Sequence, residues 1–153
     1  MNAIPPGFEP VTRSSPYAEL IGPLWQRSDA AGLVFAIRAE DKHCNLRGHV
    51  HGGVLGTLAD IAMGYSTAFS TRPPTPMVTV NLSIDFAGRA EKGDWIEIHT
   101  DVQKVGRQLA FANCQLRVDG NRIARASAVF NVIAAERVAP GADRAQRADG
   151  PTR

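Results

Sequence analysis

The chain is poor in cysteine: Cys44 and Cys114 are the only two among 153 residues. Two thiols make no disulfide framework, and nothing in them points to an oxidising compartment. It also lacks a charge imbalance. The formal net charge is +2, which gives no bulk-electrostatic argument for nucleic acid, and part of that charge lies near the C-terminus. The opening "MNAIPPGFEPVTR" has no apolar core flanked by basic residues, so it does not read as a secretory signal. No apolar run approaches the ~20 residues that span a bilayer. These absences lead us to expect a cytoplasmic protein with neither membrane nor nucleic acid as partner. What remains is ordinary globular composition, 44% apolar and 21% charged, in a chain long enough to bury its own core.

The organisation follows from periodicity and breakers. Residues 1–16 hold Pro5, Pro6, Pro10 and Pro16 and read as an irregular arm. A single domain is expected over 17–134, and a disordered tail rich in Arg, Asp, Ala, Pro and Gly over 135–153. A short helix fits "YAELIGPLW", and "LVFAIRA" (33–39) is a first strand. The polar "EDKHCNLRGHV" has no apolar period and reads as a loop. From Gly52 to Phe69 the chain is apolar on nearly every side, which predicts a long buried helix. "STRPPTP" ends it, because proline cannot continue a helix. In "MVTVNLSIDF" the period becomes two, with Val78, Val80, Leu82, Ile84 and Phe86 on one side. Three more strands follow, "WIEIHTDVQK", "QLAFANCQLRV" and "RIARASAVFNVI", joined mainly by hairpins, with "DGN" as the clearest hairpin turn. The predicted class is α+β: one antiparallel sheet wrapped around one long buried helix.

The chemistry concentrates in "NLRGHVHGGVLGTLAD", Asn45 to Asp60. Gly52 and Gly53 stand where loop becomes helix. The first amides of a helix have no internal partner and carry the positive end of its dipole. Glycine lets a ligand approach that backbone, as an oxyanion site requires. The competing reading is that the pair only forms the turn. Asp60 sits between apolar neighbours, so desolvation would favour its action as a base. A structural hydrogen bond or a solvent-facing position would explain it equally well. Gly53 and Asp60 are seven residues apart, about 10 Å of helix rise, too far to serve one carbonyl within one chain. If both act on one substrate, they come from two chains related by a two-fold axis. His49 and His51, with His43, Cys44 or Asp41, raise zinc as an option. All lie in one short loop, however, and His99 stands alone, so no metal is expected. Cys114 reads as core, and no Ser or Cys sits in a nucleophile elbow.

These residues resemble a family signature. The spacing of Asn45, His51, Gly52, Gly53, Leu58 and Asp60 is that of the hotdog-fold acyl-CoA thioesterases. The resemblance is to the phenylacetic-acid-degradation and human thioesterase superfamily branch. It extends through "MVTVNLSIDFAGRAEKGD" and "VQKVGRQLAFANCQLR" and so covers roughly 33–133. It implies the hotdog fold and hydrolysis of an acyl-CoA to free acid and CoA, without a cofactor. It implies that Asp60 activates water or attacks the thioester itself, and that the Gly52 amide, with Gly53 nearby, receives the thioester oxygen. Asn45 and His51 would fix that loop and help polarise the carbonyl. Thr79 falls where some relatives carry serine near the water; its extra methyl is a departure. The family shares the site between subunits, which implies a homodimer as the active unit and a homotetramer as the assembly. Arg89, Lys104 and Arg107 are candidates for the CoA phosphates, with plain surface charge as the alternative. Leu55, Met63, Met77 and Val78 are candidates to line the acyl path, with plain core as the alternative.

Two other functions compete. One is a hotdog hydratase or dehydratase acting on an acyl thioester. The other is a non-catalytic acyl-CoA binding module. The Asn-to-Asp spacing favours hydrolysis over the first, and an intact Asp60 counts against the second.

Overall fold

The computed structural model describes residues 3–12, 14–30 and 32–133. The expected tail, 135–153, lies outside these residues. Along the chain run β1 (Glu9–Pro10), α1 (Pro16–Ile21), β2 (Leu24–Asp29), β3 (Gly32–Arg38), a 3-10 turn (Asp41–His43) and α2 (Gly52–Phe69). Then come β4 (Met77–Phe86), β5 (Trp95–Val105), β6 (Leu109–Val118) and β7 (Asn121–Val132). The strands form one antiparallel sheet in the order β1-β2-β3-β5-β6-β7-β4.

That order corrects the expectation of a wrapped sheet. It is linear, with β1 and β4 at opposite edges and unpaired with each other. The sheet is open, and α2 packs against it rather than being enclosed by it. Seven strands span about 29 Å at a spacing of ~4.8 Å. One helix, about 10 Å wide, covers only part of that breadth. Alternation in sequence tells which face of a strand is apolar; it carries no information on curvature or closure.

The all-round apolarity of α2 is corrected in the same way. Leu55, Leu58, Ala59, Ala62, Met63, Ser66 and Thr67 are buried, whereas Asp60, Ile61 and Gly64 are half-buried and Phe69 is exposed. The buried side meets a bed of small and branched residues: Ile96 and Ile98 on β5, Ala110, Ala112 and Leu116 on β6, Ala124, Ala128 and Phe130 on β7. Alanine at so many of these positions lets the helix sit close to the sheet.

Four local differences follow. The helix around "YAELIGPLW" stops at Ile21, and the chain enters β2 at Leu24. Strand β2, "LWQRSD", is hidden in the sequence because it barely alternates; only Leu24 is buried and its far end is exposed. The turn after β4 is not a hairpin: β4 pairs with β7, and the chain crosses to set β5 beside β3. Strand β4 also carries a bulge between Thr79 and Asn81. A bulge adds one residue and shifts the alternation. Leu82 and Ile84 pack on the core as expected, but Val80 in the bulge, Val78 beyond it and Phe86 at the far end are 61%, 50% and 53% exposed. Thr79 turns towards α2 instead.

Candidate active site

The loop before α2 is built by its own polar side chains. Asn45 Oδ1 accepts from the amides of Arg47 (2.8 Å) and His49 (3.3 Å), and the Asn45 amide donates to the His49 carbonyl (2.8 Å). Asn45 thus closes the loop as an Asx turn. The His51 amide donates to the His43 carbonyl (2.8 Å). His51 caps α2: its Nδ1 accepts from the Gly53 amide at 2.9 Å, and its carbonyl accepts from Val54 (2.9 Å) and Leu55 (3.3 Å). The Gly52 amide has no acceptor among the described residues. The two glycines therefore differ. Gly53 spends its amide on the cap, and Gly52 keeps one donor at the positive end of an 18-residue helix. A Cβ on Gly52 would meet the Phe86 ring at 3.2 Å, so Phe86 lies over this helix start.

Asp60 lies two turns further on, about 12 Å along the axis from Gly52. Thr79 Oγ1 donates to Asp60 Oδ1 at 2.7 Å. Around this pair opens a groove of about 620 Å³, lined by Ile61, Gly64, Tyr65, Ala68 and Phe69 of α2, by Pro76, Met77 and Val78, and by Phe130 and Ile133. A carboxylate held by a hydroxyl at an otherwise apolar groove can take a proton from water or present an oxygen nucleophile.

The other candidates separate. Met77 and Val78 line the groove, but Leu55 and Met63 are 2% and 0% exposed and belong to the core. Arg89 stands past the Phe86 end of β4, with its Nε 3.5 Å from Glu91, which also faces His49 at 3.7 Å. Lys104 and Arg107 lie at the β5–β6 turn. Register brings that turn to the other end of β4, since Leu109 pairs with Asn131 and Asn131 with Val78. The three cations are thus split between ends of β4 about 26 Å apart, not gathered at one mouth within the chain.

His43 is buried with both nitrogens engaged: Nδ1 accepts from the Glu40 amide (2.8 Å) and Nε2 faces the Ile21 carbonyl (2.6 Å). Among the described residues no group of His, Cys, Asp and Glu is placed to hold a metal ion. Cys114 is 3% exposed, and burial pushes its thiol up to about 12, which suits core and not nucleophile. Among the described residues no helix is long and apolar enough to cross a membrane.

Residues 47–125 match the thioesterase superfamily, a span that includes the glycine pair, Asp60 and Thr79. The chain belongs to that family. It is 50% identical over 133 residues to the Pseudomonas aeruginosa protein PA0474, which bears the name of an esterase, covering 86% of this chain and 99% of that one. It is 30% identical over 107 residues to human acyl-coenzyme A thioesterase 13, covering 69% and 76%. Zebrafish thioesterase superfamily member 2 superposes with a TM-score of 0.66 at 32% identity, over 72% of this chain and 81% of that one. This thioesterase-superfamily chain has the hotdog fold of the acyl-CoA thioesterase-like branch. The groove residues on α2 beyond Asp60 were not foreseen. Their signal was present in "DIAMGYSTAF", where Asp60, Gly64 and Ala68 form one i, i+4 row and Ile61, Tyr65 and Phe69 another.

Proposed function

We propose that the protein hydrolyses acyl-CoA thioesters at a site shared between two copies of the chain. The observation that carries this reading is the Asp60–Thr79 pair at the apolar groove, together with a Gly52 amide that has no acceptor among the described residues. Thr79 engages Asp60 Oδ1, which leaves Oδ2 to accept a proton from water. That water's oxygen bonds to the thioester carbon, and the carbonyl oxygen takes up charge facing the Gly52 amide. Collapse breaks the C–S bond; the CoA thiolate receives the proton from Asp60, and the free acid leaves. Asn45 and His51 position the donor by fixing the loop and capping the helix.

Within one chain the base and the donor are about 12 Å apart along α2. The half-exposed side of α2 bearing Asp60 lies beside β4, an edge strand whose outer hydrogen-bonding side is unpaired among the described residues. Such an edge accepts a second strand, and a two-fold there sets one chain's helix start near its partner's Asp60. Subunit mixing tests this, with free-thiol release from acyl-CoAs as the readout. Asp60→Asn removes the base and is expected to lose about 10²–10⁴ in rate. Gly52→Pro removes the amide hydrogen at the first helical position, where the proline backbone fits, provided the Phe86 ring, 53% exposed and 3.2 Å from the added Cβ, shifts outward. His51, at φ −65° and ψ 137°, already has the backbone that precedes proline. Each variant alone is expected to be inactive. Co-refolded in equal amounts, they should recover about a quarter of the wild-type rate, since half the dimers hold one intact site. No recovery with folded hybrids contradicts a shared site.

A further inference from the structure

We infer that Tyr65 and Phe69 form a partition that sets how long an acyl chain the groove accepts, an inference that rests on the acyl-CoA reading above. On α2, Asp60, Gly64 and Ala68 make a row of small side chains beyond the acid, one turn apart, and Ile61, Tyr65 and Phe69 make a parallel row of large ones. All six line the groove of about 620 Å³ that starts at Asp60. The small row is its floor. Gly64 is open enough that an added Cβ would meet the Phe130 ring only at 3.7 Å. The large row is its wall, and Met77 and Val78 line the groove as well.

Behind that wall lies a second cavity of about 250 Å³, lined by Val11, Thr12, Gln26, Leu33 and Phe35 on its far side. Tyr65 and Phe69 line both spaces. Their rings are nearly parallel, with centroids 6.1 Å apart and planes at 14°. Tyr65 is braced from behind by Phe35, 5.9 Å away at 51°. A thioester carbonyl held at Asp60 directs its acyl chain along the floor towards Ala68, and a chain that outgrows the groove meets this aromatic pair. The second cavity is apolar enough to take the excess if the pair is removed.

The test is a chain-length profile of kcat/KM, from acetyl-CoA to palmitoyl-CoA, for four proteins. Wild type should rise by up to about fourfold per added methylene while the chain is being buried, then fall where it meets the wall. Tyr65→Ala and Phe69→Ala should move that fall to longer chains. Ala68→Leu, which fills the floor with a good helix former, should move it to shorter ones. Phe69 is 44% exposed, so its truncation keeps the test valid should Tyr65→Ala not fold. Identical profiles in the four proteins overturn the partition. Should wild type hydrolyse no acyl-CoA, the thioesterase reading falls instead. Binding of decanoate by calorimetry then decides the groove on its own: a tenfold weakening in Ala68→Leu supports it, and equal or absent binding in both proteins overturns it.

Discussion

Replacing Thr79 by valine removes one hydroxyl and keeps the shape, so it isolates the hydrogen bond that holds Asp60. The bond is 2.7 Å long and runs from a neutral donor to a carboxylate, the stronger kind of hydrogen bond. Bonds to charged groups contribute about 1.5–3 kcal/mol. Thr79 is exposed and Asp60 half-exposed, so water replaces part of what is lost, and the low end applies. About 1.4 kcal/mol corresponds to a tenfold fall in kcat/KM. The fall should appear mainly in kcat, because the methyl groups of valine still line the groove and leave substrate binding intact. Thr79→Ser keeps the donor and should stay within about threefold of wild type. Free-thiol release from one acyl-CoA, measured over a range of substrate concentrations, gives the split. A Thr79→Val enzyme equal to wild type refutes the positioning role. A Thr79→Ser enzyme as slow as Thr79→Val shows that the β4 packing matters and the hydroxyl does not.

Two further predictions concern the core. Cys114 keeps its proton in the folded state up to about 12, raised by burial from an ordinary value of 9.0. Above pH 9 the unfolded chain loses this proton and the native one does not, so the native state binds more protons and stability falls as pH rises towards 12. Urea melts at several alkaline pH values should therefore show a slope shallower by up to about 1.4 kcal/mol per pH unit in Cys114→Ala than in wild type; equal slopes count against it. Met63 is fully buried, so Met63→Ala should destabilise the fold by about 2–5 kcal/mol while the acyl preference of the surviving enzyme stays unchanged. A shifted preference with normal stability returns Met63 to the acyl path.

The candidate site was legible where its residues are local in sequence. "HGGVLGTLAD" displays two glycines at a helix start and a carboxylate two turns later, and its spacing carries the family signature, whereas the capping role of His51 came from the structure. The strands from β4 to β7 were legible because their sequences alternate apolar and polar residues over long stretches, although bulges in β4 and β5 break the phase in the fold. Strand β2 was not, because an edge-proximal strand with one buried residue has no alternation to read.

Sequence by itself settled the class of the elements from β3 onward, the length of α2, and the excess of separation between Gly52 and Asp60 over the reach of one side chain. Those properties depend on neighbours a few residues away, and helix geometry converts them directly into distances. Only the tertiary structure decided that the sheet stays open beside α2, that Leu55 and Met63 fall in the core while Met77 and Val78 line the groove, and that Thr79 meets Asp60. Each turns on contacts between elements far apart in the chain. The last turns on one extra residue in β4, a bulge that sets the alternation out of phase and aims Thr79 at the helix, where a strict period of two would have aimed Val78 and Val80.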